Sequence, residues 1–279
     1  MQSSTSTWLT RLEAKFCREV DASESRLVEQ WLLTATTGIE QKGERYFRRA
    51  QALFQADQVT GQVLDAGCGD GQIALRFALG GAKVTGVDID CEFIEIAQLH
   101  AQEFPNIKAQ FQCIDLCDST VLTDVVFDLI LSIDVIEHVL DPVGYLTGLR
   151  RRLKPGGKIW LSTPHRFAPS NILADPHYEL AGLTLLPNTC AAWYAVNCRR
   201  KTRVYDVTRL YTPRSLAKLA ESSGLVISFQ TTQVWNEALE KRFWLKQLSE
   251  LPLVDRILFS LYHYRLRTVE AILSVPPSL

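Results

Sequence analysis

The residues best placed to do chemistry run Val63-Leu64-Asp65-Ala66-Gly67-Cys68-Gly69-Asp70-Gly71. An apolar run ends in three alternating glycines, and a helical pattern follows at once. Glycine accepts positive φ and lets a ligand approach the backbone closely, and a helix N-terminus lies just beyond. Any nucleotide loop would share those features, but two details separate the options. A dinucleotide loop wants a third glycine five residues after the first, and that position is Gln72. Asp65, two residues before the first glycine, would repel a pyrophosphate and favour a cationic ammonium or sulfonium.

Further acids end the strands that follow. Val84-Thr85-Gly86-Val87-Asp88 puts Asp88 where a carboxylate ordinarily grips ribose hydroxyls. Cys113-Ile114-Asp115 puts Asp115 where it can accept from an adenine amino group, and Leu131-Ser132-Ile133-Asp134 ends the fourth strand at the crevice. The alternatives are a tight turn without a ligand and isolated surface carboxylates, and four acids in register argue against both. The chemistry they share suits the amino-acid end, ribose and adenine of S-adenosylmethionine. Cofactor contacts are therefore expected at Asp65, Gly67, Cys68, Gly69, Asp88, Ile89, Asp115, Leu116 and Ile133.

Short apolar runs positioning these residues read as buried strands: Gln62–Ala66, Lys83–Val87, Lys108–Ile114, Phe127–Ile133 and Lys158–Thr163. Helical periodicity lies between them at Gln72–Leu79, Glu92–Gln102 and Pro142–Leu153, with Lys154-Pro155-Gly156-Gly157 as a turn. Alternation of this kind implies an α/β fold with a doubly wound, mostly parallel sheet. Residues 1–56 form an expected helical cap over a core at 57–164. Residues 165–206, aperiodic and rich in His, Pro, Tyr and Trp, read as a substrate-side lid insertion. The rest, 207–279, completes the domain: a helix over 212–224 opened by Thr212 and Pro213, a strand Leu225–Gln230, helices over 233–266 and a last strand Val269–Val275.

A chain of 279 residues suits one such domain with embellishment. Thirty basic and thirty-one acidic side chains leave a net charge of −1, which gives no general pull on nucleic acid. Seven scattered cysteines are an odd number in a chain of ordinary size, so reduced thiols and a cytoplasmic setting are expected. No signal peptide and no 18-residue apolar span is evident. Leu251–Tyr264 reads first as a packed helix and second as a membrane-surface element. Cys113 and Cys117 lack a partnering pair for zinc.

Taken together, the glycine loop with Asp65, the Gly86-Val87-Asp88 strand end, Phe127-Asp128, Asp134-Val135-Ile136-Glu137-His138-Val139 and Leu153-Lys154-Pro155-Gly156-Gly157 resemble the class I S-adenosylmethionine-dependent methyltransferases. The match covers residues 62–164 and is most similar to the branch with ubiquinone-biosynthesis O-methyltransferases, known also as methyltransferase type 11. That resemblance implies a Rossmann-like fold, a methyl transferase activity and S-adenosylmethionine as cofactor. Some ubiquinone-pathway members hold a divalent ion at positions matching Asp134, Glu137 and His138; this chain has Asp at the first, and no metal is assigned. Residues 1–56 and 165–206 do not match, and they would form the acceptor pocket.

A sulfonium methyl is already activated, so alignment of nucleophile, methyl and sulfur does most of the work. A hydroxyl acceptor also wants a base. His138, His165 and His177 are the candidates, each with a plain structural role as its alternative; His100 and His263 read as structural. The expected function is methyl transfer to a hydroxyl of a small or medium organic acceptor: a quinone precursor, a glycan or a secondary metabolite. N- or C-methylation and a non-catalytic S-adenosylmethionine-binding sensor are the alternatives. Of two basic clusters, Arg150-Arg151-Arg152-Lys154 reads as a solvated helix face. Arg199-Arg200-Lys201-Arg203 reads first as exposed loop and second as a grip on an anionic acceptor.

Overall fold

The computed structural model describes residues 6–20, 25–230 and 266–276. In chain order the helices are α1 (Thr7–Glu19), α2 (Ser25–Thr36), α3 (Glu44–Leu53), α4 (Ala56–Thr60), α5 (Gln72–Leu79), α6 (Cys91–Ala101), α7 (Pro142–Arg151), α8 (Pro169–Leu173), α9 (Asn188–Trp193) and α10 (Pro213–Ser222). The strands are β1 (Gln62–Ala66), β2 (Lys83–Asp88), β3 (Ala109–Cys113), β4 (Phe127–Ile133), β5 (Leu153–Pro164), β6 (Val226–Phe229) and β7 (Thr268–Ser274). They form one sheet in the order β3-β2-β1-β4-β5-β7-β6. β1 to β5 run parallel, and β7 is antiparallel to both β5 and β6.

The sheet is covered on both faces, which is why its central strands are continuous apolar runs. Leu64, Ile130, Ile159 and Leu161 face a core shared with α7 and α10. Val63, Leu129, Leu131 and Trp160 face the other, shared with α3 and α5. Each fully buried side chain of this size contributes about 1.5–3 kcal/mol of transfer free energy. Among the described residues no helix is long and apolar enough to cross a membrane.

The strands predicted from the sequence all form, with ends shifted by a residue or two except in β5. That strand begins at Leu153, because Phe127 pairs with Leu153 before a register shift at the Gly156-Gly157 turn. Thr212 caps α10 through its side chain and Pro213 sits in the first turn. The insertion, expected to be aperiodic, folds into α8, α9 and short turns around its own small core of Tyr178, Leu180, Leu183, Ala191, Ala195 and Val207. The helices expected over 233–266, apart from Leu266, lie outside the described residues, as do His263 and the whole of Leu251–Tyr264.

The expectation of reduced thiols is corrected at one place. Cys91, at the start of α6, and Cys113, at the end of β3, form a disulfide. The register of β2 against β3 pairs Asp88 with Cys113, so the end of β3 lies beside the loop that enters α6. Sequence spacing could not show this, because a 22-residue separation matches no recognised cysteine pattern.

Candidate active site

At the carboxyl end of β1 the backbone turns through Gly67, Gly69 and Gly71, all with positive φ. A Cβ at Gly67 would lie 2.5 Å from a Val135 methyl, so the loop passes too close to the segment after β4 for any side chain. A Cβ at Gly69 would meet nothing within 4 Å, so the backbone there faces open space. Gly67 and Cys68 donate their N–H groups to Val87 O, and Gly69 N–H donates to Asp88 Oδ2 at 2.9 Å. Gln72 fills the place of a third glycine. Its amide donates to Asp70 Oδ2 at 2.6 Å, and its side chain packs where a Cβ on Gly38 would clash at 1.9 Å.

Beside this loop lies a cavity of about 310 Å³. Asp65, Gly67, Gly69 and Ile133 supply its floor, Asp134 one end, and Phe16, Trp31 and Lys42 the cover. Asp65 is buried, and its Oδ2 has no hydrogen-bond partner among the described residues. Burial pushes its carboxyl up to about 7, against the nearby Lys42 ammonium, which pulls it down. A buried acid left without a donor is costly unless a cation completes the site. The cavity therefore offers an anion for an ammonium and a cation for a carboxylate, the two ends of an α-amino acid. Lys42 was not foreseen, since a lysine in a helical stretch ordinarily reads as a solvated face.

The remaining expected contacts fall outside the walls of this cavity. Asp88 accepts from Gly69 N–H and Asp90 N–H, so it braces the glycine loop from the end of β2. Ile89 is exposed and apolar beside it, and Asp115 is exposed just past β3, accepting from Cys117 N–H at 2.9 Å. Leu116 is buried in the α7-side core, and its backbone O accepts from Arg152 Nη1. Cys68, by contrast, does line the cavity; it is buried, and burial holds its thiol well above the ordinary range.

A second cluster stands at the end of β4. Asp134 takes a left-handed φ of 57° and accepts from Ser162 Oγ at 3.2 Å. Three residues on, Glu137 is fully buried; its Oε2 accepts from Thr163 Oγ1 at 2.9 Å and its Oε1 is left over. Burial, then the charge of Asp134, pushes Glu137 up to about 7. His177 arrives from the insertion: Asp175 Oδ1 accepts from the N–H groups of His177 and Tyr178, fixing a tight turn. That turn sets His177 Nε2 3.9 Å from Glu137 Oε1 and its ring 5.2 Å from that of His138. Burial and the adjacent His138 lower His177 to about 4, so it is neutral at ordinary pH. Burial disfavours charge on His138 too, but Asp206 at 3.2 Å and Glu137 override it and raise His138 to about 9.

His165 is placed differently. It is buried where β5 leaves the sheet, its Nδ1 accepts from Phe167 N–H at 3.0 Å, and its backbone N–H bonds Arg267 O. Of the three candidate histidines, then, His138 and His177 stand together beside Glu137, and His165 anchors the start of the insertion. Among the described residues, Glu137, His138 and His177 also offer ligand atoms within 4.8 Å of one another. The cluster thus holds His177 in place of the Asp134 that the resemblance would use.

A family model described as a methyltransferase domain matches residues 39–228. The chain belongs to the methyltransferase domain family. The ubiquinone biosynthesis O-methyltransferase of Chromobacterium violaceum is 32% identical over 59% of this chain and 64% of its own length. Its counterpart in Albidiferax ferrireducens is 32% identical over 66% and 67%. The chain therefore spans about two thirds of these relatives. Among solved structures, the YcgJ protein of Bacillus subtilis shares the fold with a TM-score of 0.50 at 15% identity, covering 82% of this chain and 96% of that one. The cofactor of this methyltransferase family is S-adenosylmethionine, and the glycine loop, the orphaned Asp65 and the open space at Gly69 fit it.

Proposed function

We propose that this methyltransferase moves the methyl group of S-adenosylmethionine to a hydroxyl of a small or medium organic acceptor. The observation that carries the reading is the buried, unpartnered Asp65 oxygen in a cavity that also holds Lys42. When bound, the cofactor supplies a methyl already activated by its sulfonium. Asp65 holds the ammonium of the methionine end, Lys42 its carboxylate, and Asp88 the ribose. The covering helices α1 and α2 keep water from the transfer.

Oxygen as the acceptor atom is supported by the names of the relatives and by the cluster after β4. His177 is neutral and half-enclosed, so its lone pair is available to a hydroxyl. A ring that titrates near 4 is a weak base alone, but Glu137 beside it titrates near 7. The two would act as a pair: His177 accepts the hydroxyl proton as the C–O bond forms and the methyl's bond to sulfur breaks, and the buried carboxylate stabilises the imidazolium. His138, held charged by Asp206, is the wall against which His177 rests.

Calorimetry with S-adenosylhomocysteine tests the cofactor half. Without ligand Asp65 titrates near 7, and a bound ammonium must pull it lower. Binding therefore takes up the ionised form, so affinity should rise with pH up to about 7 and then level off. In Asp65→Asn that rise should vanish and affinity should drop by about 1–3 kcal/mol. Tight binding of NAD, with none of S-adenosylhomocysteine, would overturn the assignment.

A further inference from the structure

The disulfide between Cys91 and Cys113 joins the two loops expected to hold the nucleoside half of the cofactor. Cys91 comes directly after Asp88, Ile89 and Asp90, and Cys113 directly before Ile114, Asp115 and Leu116. The bond therefore fastens the ribose loop after β2 to the adenine loop after β3. Backbone contacts run alongside it: Cys113 Sγ lies 3.6 Å from Ile89 O, and Ile114 N–H donates to Asp88 O at 2.9 Å. The Asp88 carboxylate in turn accepts from Gly69 N–H and Asp90 N–H. The tie thus reaches the glycine loop through one side chain.

Little else fixes this end of β3. It is the edge strand, and its ladder is with β2 alone. Of its side chains only that of Phe111 is buried. A segment with few buried apolar contacts opens locally at small cost, and an edge strand has one ladder to lose where a central strand has two. Both cysteines are exposed, so a thiol in solution can reach the bond. Cys117, four residues on, does not compete for it. Burial, then the charge of Asp115, pushes the Cys117 thiol up to about 11, and a protonated thiol does not exchange.

We propose that the Cys91–Cys113 bond is a redox switch on cofactor affinity. Closed, it holds the ribose and adenine loops in register; opened by a thiol reductant, it frees the end of β3 and weakens binding. Opening takes two thiols of the reductant, which give up two electrons and two protons. The S–S bond of the protein breaks to two thiols as the reductant's sulfurs join in a disulfide. The inference rests on the methyltransferase reading, and it adds to that reading a control that the chemistry at Asp65 and His177 does not contain.

Calorimetry with S-adenosylhomocysteine tests it on the full chain, oxidised and then reduced with dithiothreitol, well below the melting temperature of the reduced form. The oxidised protein should bind about tenfold more tightly, within the ordinary range of coupling between two sites. Cys91→Ser with Cys113→Ser should bind as the reduced protein does and ignore the reductant. Coupling is reciprocal. Saturating S-adenosylhomocysteine should therefore shift the exchange equilibrium with glutathione toward the disulfide by the same factor, read by alkylation and peptide mass at Cys91 and Cys113. A bond that served only the overall stability of the fold would leave that equilibrium unmoved while the protein stays folded. Equal affinity in the two redox forms, or an equilibrium indifferent to the ligand, overturns the switch alone. Binding by neither form overturns the cofactor reading and the switch with it.

Discussion

His177 takes its properties from its burial and from two neighbours. Burial removes water that would stabilise a charged ring, His138 adds a like charge, and Glu137 Oε1 lies 3.9 Å from Nε2. His177→Ala should therefore lower turnover of a hydroxyl acceptor by roughly 10²–10⁴ and leave S-adenosylhomocysteine affinity nearly unchanged. Single-turnover kinetics beside calorimetry check this; equal loss of both would mean that the residue only supports the fold. The glycine loop and Asp65 were legible in the sequence because each needs a residue type that few other contexts need. Lys42 was not, because a cation on a helix has no signature until the cavity it faces is known. The placement of His177 beside Glu137 was not legible, since the pair spans 40 residues of chain.

At the scale of elements, α1 is held on the domain by charge as much as by burial. Lys15, itself buried, bonds Asp90 at 2.6 Å and Glu19 at 2.7 Å and lies over the Phe93 ring. Arg11 pairs with Glu95 and Arg18 with Glu92, all on α6. Asp90 is also the side-chain cap of α6, accepting from Glu92 and Phe93 N–H. The outer pairs are half-exposed and worth little singly, but Lys15 is not. Lys15→Met should cost about 1–2 kcal/mol of stability. It should also weaken S-adenosylhomocysteine binding, because α1 carries Phe16 in the wall of the cavity beside the glycine loop. In the parent that affinity should fall between low and high salt, where screening shortens the reach of such pairs; a salt-independent affinity in both proteins would refute the link. The central strands were legible because burial on two faces leaves unbroken apolar runs. The insertion was not, because its helices are short and owe their packing to one small core rather than to a period.

For the molecule as a whole, one covalent tie joins the ends of β2 and β3 through α6. Closing a loop of this length restricts the unfolded chain by about 3 kcal/mol. A reductant, or Cys91→Ser with Cys113→Ser, should lower the melting temperature by about 5–10 °C. Identical melting curves with and without reductant would show that the bond is absent in solution. The two covers of the sheet are also tied to each other. Val20 pairs with Thr202 in an isolated antiparallel bridge, Arg203 N–H donates to Glu19 O, and Thr202 Oγ1 donates there too. The N-terminal helices and the insertion thus close a ring over the crevice, and spent cofactor must leave through it. Departure through it then requires these contacts to part, and release slower than transfer is the expected consequence. A rapid-quench experiment should show a burst of one methylated product per protein before the steady state, growing smaller when Thr202→Ala loosens the ring; a linear course from the first turnover would place the slow step in the chemistry instead.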